Sequence, residues 1–230
     1  MQSLREDHPN DRTAIVTWTL IALNILIYLW DRQWNLMRPE VVFADLAMHP
    51  RQITAVLQGE PGDRFPLVTV FTSMFLHANL PHLLGNLLFL YLFGPGVEYA
   101  LGSPRFALYY LFWGLVAGAT HVYVDPTSAI PTLGASGAIG GALGCYFLLF
   151  PAQRVEIRIP MFPFPKTSAP VWVLLLIWFL WQILIPQQGV ANWAHAGGFL
   201  AGMLTVLIMG GRSTILEARG FDEVTSATHS

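Results

Sequence analysis

The chain has 230 residues, of which 54% are hydrophobic and only 11% are charged, whereas a soluble domain carries about 25% charged residues. This composition excludes an ordinary soluble domain, and the formal net charge of −2 gives no indication of nucleic-acid binding. Its one cysteine, Cys145, excludes an intrachain disulfide. The stretches 65–97 and 167–211 contain no charged residue, so each has room for one or two membrane helices of about 20 residues.

Six apolar segments are predicted to be transmembrane helices, with glycine and proline residues at several of their ends. They cover residues 14–30, 81–99, 105–124, 136–150, 169–185 and 191–209. The first segment has spanning length and no signal-peptide cleavage site, so we expect it to remain in the protein. The sequence therefore predicts an all-α polytopic membrane protein with a six-helix domain at 14–210.

The remaining segments are predicted to flank or connect these helices. Residues 1–13 are a polar N-terminal segment, and residues 211–230 are a polar C-terminal tail. The long connection 31–80 contains two shorter apolar stretches, 41–57 and 65–75. These stretches are too short to span, so we expect them to lie at the membrane interface or to re-enter the membrane.

Lysine and arginine residues predict the orientation, because cytoplasmic loops are enriched in them. If the N-terminus is cytoplasmic, eight of the 12 basic residues lie in cytoplasmic segments: Arg5, Arg12, Arg105, Arg154, Arg158, Lys166, Arg212 and Arg219. The other four lie in the connection 31–80: Arg32, Arg38, Arg51 and Arg64. We therefore expect a multi-pass protein of a prokaryotic plasma membrane, with both termini in the cytoplasm.

Several polar side chains lie inside the predicted helices, where ionisable groups are costly and mark candidate functional sites. His82 and Asn86 are four residues apart in the first turns of the second helix, so they share one face. Ser136 begins the fourth helix, and His195 lies near the start of the sixth. Because these three helices all begin at the outer surface, we expect the four side chains at one depth near that surface.

Glycines indicate which helices touch. Gly140 and Gly144 in the fourth helix have G-x-x-x-G spacing, and so do Gly198 and Gly202 in the sixth. Small residues at this spacing let helix backbones approach closely. A hydrogen bond between the serine of one helix and the histidine of the other requires such an approach, although ordinary helix packing is the better explanation of the glycines when they are taken alone.

These residue types support nucleophilic catalysis. A serine hydroxyl becomes an effective nucleophile when a base takes its proton, and His195 is predicted to be that base for Ser136. Candidate donors to a tetrahedral oxyanion are the backbone N–H of Ser136 and the side chains of His82 and Asn86. Since no acidic residue is placed near His195, we expect a dyad in which packing or a backbone carbonyl orients the imidazole. No cofactor or metal is expected.

Four motifs resemble those of the rhomboid intramembrane proteases, in the same order and on the expected helices. They are Gly134-Ala135-Ser136-Gly137 (G-x-S-G), His77 followed by His82-Leu83-Leu84-Gly85-Asn86 (H-x-x-x-N), Gly94, Glu98 and Gly102 (G-x-x-x-E-x-x-x-G), and Ala194-His195-Ala196-Gly197-Gly198 (A-H-x-G-G). The resemblance covers about residues 14–209. It implies a six-transmembrane-helix, rhomboid-like bundle.

The resemblance also implies roles for these residues. Ser136 is expected to be the nucleophile and His195 the base of a serine endopeptidase, with His82 and Asn86 supporting the oxyanion. The residues expected to support the motifs are Gly134, Gly137, His77 and Glu98. The implied substrates are transmembrane segments of other proteins in the lipid bilayer, which enter sideways near the second and fifth helices. No oligomeric state is predicted.

Two features depart from the family pattern. Some members have a tyrosine four residues after the nucleophile, stacked on the catalytic histidine, and here that position is Gly140. The Trp-Arg pair that some members carry in the first loop is not found. What orients His195 and how the first loop is held are therefore not predicted by the resemblance.

Three other functions account for parts of the pattern. A metal site of His77, His82 and His195 is possible in principle, but the sequence has no H-E-x-x-H and no carboxylate beside these histidines. A catalytically inactive rhomboid-like protein would bind transmembrane segments, but such proteins usually lack the serine or the histidine. A transporter predicts polar residues that continue to the inner face, yet the fourth and sixth helices are apolar below Ser136 and His195.

Overall fold

A computed structural model describes residues 14–157, 167–185 and 190–220, and within them the chain is mainly α-helical. The long helices are α1 (Ile15–Asp31), α4 (Leu80–Leu101), α5 (Ser103–Val124), α6 (Ser136–Leu149), α7 (Val171–Leu184) and α8 (Asn192–Ile208). The shorter helices are α2 (Pro50–Leu57), α3 (Pro66–Thr72) and α9 (Gly211–Glu217). Two strands, β1 (Arg154–Ile157) and β2 (Thr167–Pro170), pair antiparallel. Each of the six predicted helices is present and begins and ends within two residues of its expected limits.

The helices differ in whether they are long enough to cross a bilayer. Among the described residues, α4 and α5 each meet the requirements of length and apolarity, and α8 with α9 meets them as a pair bent by 69°. The helices α1, α6 and α7 have 17, 14 and 14 residues. At 1.5 Å per residue they are about 21–26 Å long, which is shorter than a hydrocarbon core of about 30 Å. Six membrane crossings therefore remain a prediction.

The centre of the fold is the pair α6 and α8. Most residues of α6 are buried, and small residues in both helices bring the two backbones into contact. The indole N–H of Trp113 on α5 donates to the hydroxyl of Thr205 on α8 at 2.9 Å, which joins a third helix to this pair. Further out, α4 packs on α6, α1 packs on α4, and α7 packs mainly on α8. The outward faces stay apolar, as expected for helices in lipid: Leu204 of α8 is 54% exposed.

Glu98, near the C-terminal end of α4, connects this helix to the N-terminal ends of α1 and α5. Its carboxylate accepts hydrogen bonds from the backbone N–H of Val16 at 2.9 Å and of Thr17 at 2.7 Å, which lie at the start of α1. It also accepts from the hydroxyls of Thr17 and Ser103, both at 2.7 Å. The buried carboxylate on α4 thus caps the otherwise unpaired N–H groups of α1 and reaches the first residue of α5.

The connection 31–80 is a folded segment held by a buried arginine. It contains α2 and α3, which lie within the two apolar stretches 41–57 and 65–75. Arg32 is completely buried, and its Nη2 donates to the carbonyls of His77 at 2.7 Å and Ala78 at 2.6 Å. Its Nη1 lies 3.3 Å from the buried carboxylate of Asp31. Because His77 and Ala78 directly precede α4, this arginine fixes the entry to the helix that carries His82.

Two segments are more structured than the sequence predicted. The strands β1 and β2 form a hairpin in the connection between α6 and α7. The expected C-terminal tail begins with α9, whose Ile215 and Leu216 are buried against the bundle, because two apolar residues in a polar segment gain by contact with the core. The N-terminal segment 1–13 and residues 221–230 of the tail lie outside the described residues, as do Arg158 and Lys166.

Candidate active site

Ser136 and His195 meet at the N-terminal ends of α6 and α8, as expected for helices that start at the same surface. Ser136 is the first residue of α6, and His195 lies in the first turn of α8. The serine Oγ is 2.7 Å from the imidazole Nε2, although the two residues are 59 positions apart in the chain. Both side chains are partly buried. A hydroxyl within hydrogen-bond distance of an imidazole has the geometry required of a nucleophile and its base.

Glycines make this approach possible. A β-carbon on Gly140 would lie 2.8 Å from the carbonyl oxygen of His195, which is too close for any side chain. A β-carbon on Gly144 would overlap the carbonyl of Phe199, and one on Gly198 would overlap the carbonyl of Gly137. Since these contacts are with backbone atoms, they cannot be relieved by a rotamer change. The G-x-x-x-G spacings therefore mark the faces along which α6 and α8 touch.

A side-chain amide that the sequence analysis did not identify completes the hydrogen bonds of His195. The imidazole Nδ1 lies 2.7 Å from Oε1 of Gln182 on α7. Packing or a backbone carbonyl was expected to orient the imidazole, and the structure has a side-chain amide on Nδ1 instead. Gln182 is buried, and every other residue of Val171–Leu184 is aliphatic or aromatic. A lone amide in such a helix is the signal that could have identified it, since buried amides require partners.

An aromatic ring from α7 also lies beside His195. The rings of Trp178 and His195 have centroids 6.0 Å apart and an interplanar angle of 31°. Gly140 stands at the position where some family members carry a stacking tyrosine, and it has no side chain to stack on the imidazole. The indole comes from a different helix, four residues before Gln182, so that α7 supplies both neighbours on one face.

His82 is placed to donate a hydrogen bond beside Ser136. Its Nδ1 accepts a long hydrogen bond of 3.4 Å from the backbone N–H of Ala78, so the ring proton belongs on Nε2. A β-carbon on Gly134 would lie 2.8 Å from this Nε2 and 3.6 Å from the hydroxyl of Ser136. Gly134 also has φ +127°, which side chains rarely adopt. Glycine at this position thus allows His82 to approach the serine.

Asn86 makes a different contact from the one expected. Its Nδ2 donates to the backbone carbonyl of His82 on the same helix at 2.9 Å. Asn86 does not line the cavity in which Ser136, His82 and His195 meet. The described structure therefore brings together three of the four expected side chains, and it directs Asn86 into its own helix.

His77 lies behind His82 rather than beside Ser136. The two imidazoles form an edge-to-face contact with centroids 5.2 Å apart, and His77 is 1% exposed. Burial, with a smaller contribution from the charge of His82, lowers the pKa of His77 to about 3. His77 is therefore neutral near pH 7, and its contact with His82 is one of packing.

The hydroxyl of Ser136 opens onto a cavity of about 300 Å³. His82, His195 and Asn79 supply polar groups to its wall, while Met48, Met74 and Gly118 belong to its apolar part. Such a mixture of apolar wall and few polar groups is typical of sites that bind an apolar side chain next to a reacting centre. Within the described part of the chain, no three His, Cys, Asp or Glu side chains converge in a metal-binding arrangement, so His77, His82 and His195 do not form one.

Comparisons with known proteins agree on one family. A family model of the rhomboid domain matches residues 64–212, which is more than half of the chain. Rhomboid protease AarA of Providencia stuartii is 30% identical over 217 residues, covering 82% of this chain and 70% of that protein. Rhomboid protease GluP of Bacillus subtilis is 28% identical over 195 residues, and Rhomboid protein 1, mitochondrial, of Saccharomyces cerevisiae is 30% identical over 148 residues.

The matched parts differ in extent. The alignments cover 84% and 60% of this chain but only 34% of the Bacillus protein and 40% of the yeast protein. The chain thus spans about two fifths or less of the length of these two relatives. The match to the family model nevertheless includes Ser136, His195, His82 and Gln182. The chain belongs to the rhomboid family of membrane proteins.

Proposed function

We propose that this protein is an intramembrane serine endopeptidase that cleaves transmembrane segments of other membrane proteins with a Ser136–His195 dyad. The observation that carries the proposal is the distance of 2.7 Å between the serine Oγ and the imidazole Nε2, at the edge of a cavity. Relatives named as rhomboid proteases support the same reaction class.

The first chemical step is attack on the scissile carbonyl. His195 takes the proton of Ser136 through Nε2 as the Oγ–carbon bond forms, and the carbonyl oxygen becomes an oxyanion. We assign Nε2–H of His82, which lies on the same side of Gly134 as the serine hydroxyl, as the side-chain donor to that oxyanion. The N–H groups at the start of α6, where Ser136 is the first residue, add a positive dipole end. These donors stabilise the charge that develops in the transition state.

The second step releases the products. The imidazolium of His195 gives its proton to the leaving amine, and the acyl group stays on Ser136. A water molecule, deprotonated by His195, then hydrolyses the ester and restores the hydroxyl. Water is needed for this step, and the position of the dyad at the outer ends of α6 and α8 supports access from the outer aqueous phase.

The membrane arrangement is part of the proposal. We place the six long helices across the bilayer, both termini in the cytoplasm and the dyad near the outer face. The shorter helices are accommodated by tilt or by local thinning of the bilayer. Apolar residues on the outward faces support this placement, and so do the basic residues Arg105, Arg212 and Arg219 at the predicted cytoplasmic ends.

A fluorophosphonate probe tests the proposal directly, because it reacts with an activated serine. The purified protein, reconstituted in lipid vesicles, is labelled, and the modified residue is mapped by mass spectrometry. We expect the label on Ser136, and cleavage of a single-span model substrate by the same preparation. Binding of that substrate without labelling or cleavage would instead indicate an inactive binding protein.

A further inference from the structure

We propose that Gln182 is a positioning residue that holds His195 in the tautomer with its proton on Nδ1, so that Nε2 is free to take the proton of Ser136. The inference rests on the proposed function for its catalytic meaning, but the tautomer itself can be measured without any activity. It adds a third residue, from a third helix, to the expected dyad.

The orientation of the Gln182 amide follows from its neighbours. One end of the amide lies 3.4 Å from the backbone carbonyl of Trp178, which can only accept a hydrogen bond. That end must therefore be the NH₂ group, and the other end is Oε1. Nδ2 of Asn192, a donor, lies 3.3 Å from this Oε1 and agrees with the same orientation. The carbonyl of Trp178 thus fixes an assignment that the shape of an amide alone leaves open.

The amide then fixes the imidazole. Oε1 of Gln182 lies 2.7 Å from Nδ1 of His195 and can only accept, so Nδ1 carries the ring proton. Neutral imidazole has one N–H, and Nε2 is left with a lone pair directed at the Ser136 hydroxyl, 2.7 Å away. The opposite tautomer would put two acceptors against each other at Gln182, and its Nε2–H would donate to the Ser136 hydroxyl, which would leave no lone pair to take the serine proton. The hydrogen-bond chain thus runs from α7 through α8 to α6.

The hydrogen bond between Gln182 and His195 is buried among apolar side chains, so its loss cannot be compensated by water as the loss of an exposed hydrogen bond can. Gln182 is 6% exposed, and the helix around it is apolar, so no other group of α7 can replace its oxygen. The titratable groups whose charge reaches His195 among the described residues are His82 of α4 and His121 of α5. Neither is a carboxylate, and the neutral amide therefore orients His195 without supplying a negative charge.

Replacement of Gln182 separates positioning from simple packing. In Gln182→Leu the Nδ1–H loses its acceptor, and we expect kcat to fall about 10- to 1,000-fold with KM nearly unchanged, since proton transfer contributes about 10²- to 10⁴-fold. In Gln182→Glu an acceptor returns, and we expect most of kcat to be recovered. A carboxylate stabilises the imidazolium, so the acidic limb of the pH profile should move to higher pH in Gln182→Glu.

Leu175→Ala is the matched control on the same helix. Leu175 is buried and lies two turns from Gln182, so its truncation weakens the packing of α7 without contacting His195. We expect a lower melting temperature for Leu175→Ala and an unchanged pH profile. If Gln182→Leu also lowers the melting temperature and leaves the pH profile unchanged, Gln182 is a packing residue and the inference is wrong.

Nitrogen-15 NMR of histidine-labelled protein tests the tautomer independently of catalysis, with His195→Ala used to assign the signal. We expect a protonated Nδ1 and an unprotonated Nε2 for His195 in the wild type, and a mixture of tautomers in Gln182→Leu. A wild-type signal with the proton on Nε2 overturns the inference, whatever the activity. Another outcome is a protein that shows Nδ1–H on His195 and still reacts with neither the fluorophosphonate probe nor the substrate. That result would support the inference about Gln182 and overturn the proposed function.

Discussion

The backbone carbonyl of Gly141 occupies the place where a side chain of Gly202 would begin. A β-carbon on Gly202 would overlap this oxygen, and α6 and α8 are therefore in direct backbone contact at this level. The contact lies below the Ser136–His195 pair and holds its two helices at a fixed separation. Whatever keeps these helices together also keeps the hydroxyl and the imidazole within hydrogen-bond distance.

Gly202→Ala should therefore destabilise the protein and separate the dyad. The added methyl has no rotamer to escape into, so we expect a loss of about 1–3 kcal/mol in the free energy of unfolding and reduced probe labelling of Ser136. Gly85→Ala on α4 is the control, because a β-carbon there would meet no atom within 4 Å. Thermal unfolding in detergent should show a normal or slightly raised melting temperature for Gly85→Ala, as expected for alanine in a helix.

Ser136→Ala and His195→Ala should each abolish cleavage of a single-span substrate. Removal of either member of a nucleophile–base pair costs at least about 10⁴-fold in rate, because neither group works without the other. Ser213→Ala, at an exposed serine of α9, should cleave and label like the wild type. If the Ser136→Ala variant has the melting temperature of the wild type and still cleaves the substrate at a near-normal rate, Ser136 is not the nucleophile.

His82→Ala and Asn86→Ala should differ in effect, although both residues were expected to support the oxyanion. Nε2 of His82 lies close to Gly134, as the serine hydroxyl does, and we expect removal of its N–H to lower kcat about 100- to 1,000-fold, as for one oxyanion donor. The amide of Asn86 donates to the carbonyl of His82, so we expect less than about a tenfold loss for Asn86→Ala. Steady-state kinetics at saturating substrate measures both. A larger loss for Asn86→Ala would show that its amide turns toward the substrate during the reaction.

The burial of His77 should make the protein sensitive to acid. Its pKa is about 3 in the folded protein and 6.5 in the unfolded chain, so below pH 6.5 the unfolded state binds a proton that the folded state does not. This contribution to stability is present above pH 6.5 and is lost as the pH falls toward 3. In His77→Phe the melting temperature should fall less steeply between pH 7 and pH 4 than in the wild type. Phe75→Leu, which changes the same turn but adds and removes no titrating group, should keep the wild-type slope.

The positions of the helices could be predicted because the sequence of each helix itself indicates where it begins and ends. Long apolar segments bounded by glycine and proline set their limits, and the helix limits in the structure agree to within two residues. The meeting of Ser136 with His195 could also be anticipated, since both residues begin helices that start at one surface and carry matching glycine spacings. The number of membrane crossings could not be predicted in the same way, because α1, α6 and α7 are shorter than the thickness of a bilayer.

Other parts of the site could not be predicted because they depend on side-chain direction. Gln182 belongs to no motif, and only the rotation of α7 places its amide against His195. Asn86 shares a helix face with His82, yet a bond to the carbonyl four residues earlier competes with any bond across the cavity. Arg32 lies 45 residues from His77 in the chain, so no local pattern indicates that it holds the start of α4.

The site divides into two parts with different supports. Ser136 and His195 sit on helices locked together by their main chains, whereas Gln182 and His82 are contributed by α7 and α4, which pack around that pair. Substitutions in α4 and α7 can therefore change the reaction rate and the substrate preference, while the contact between α6 and α8 keeps Ser136 and His195 in place.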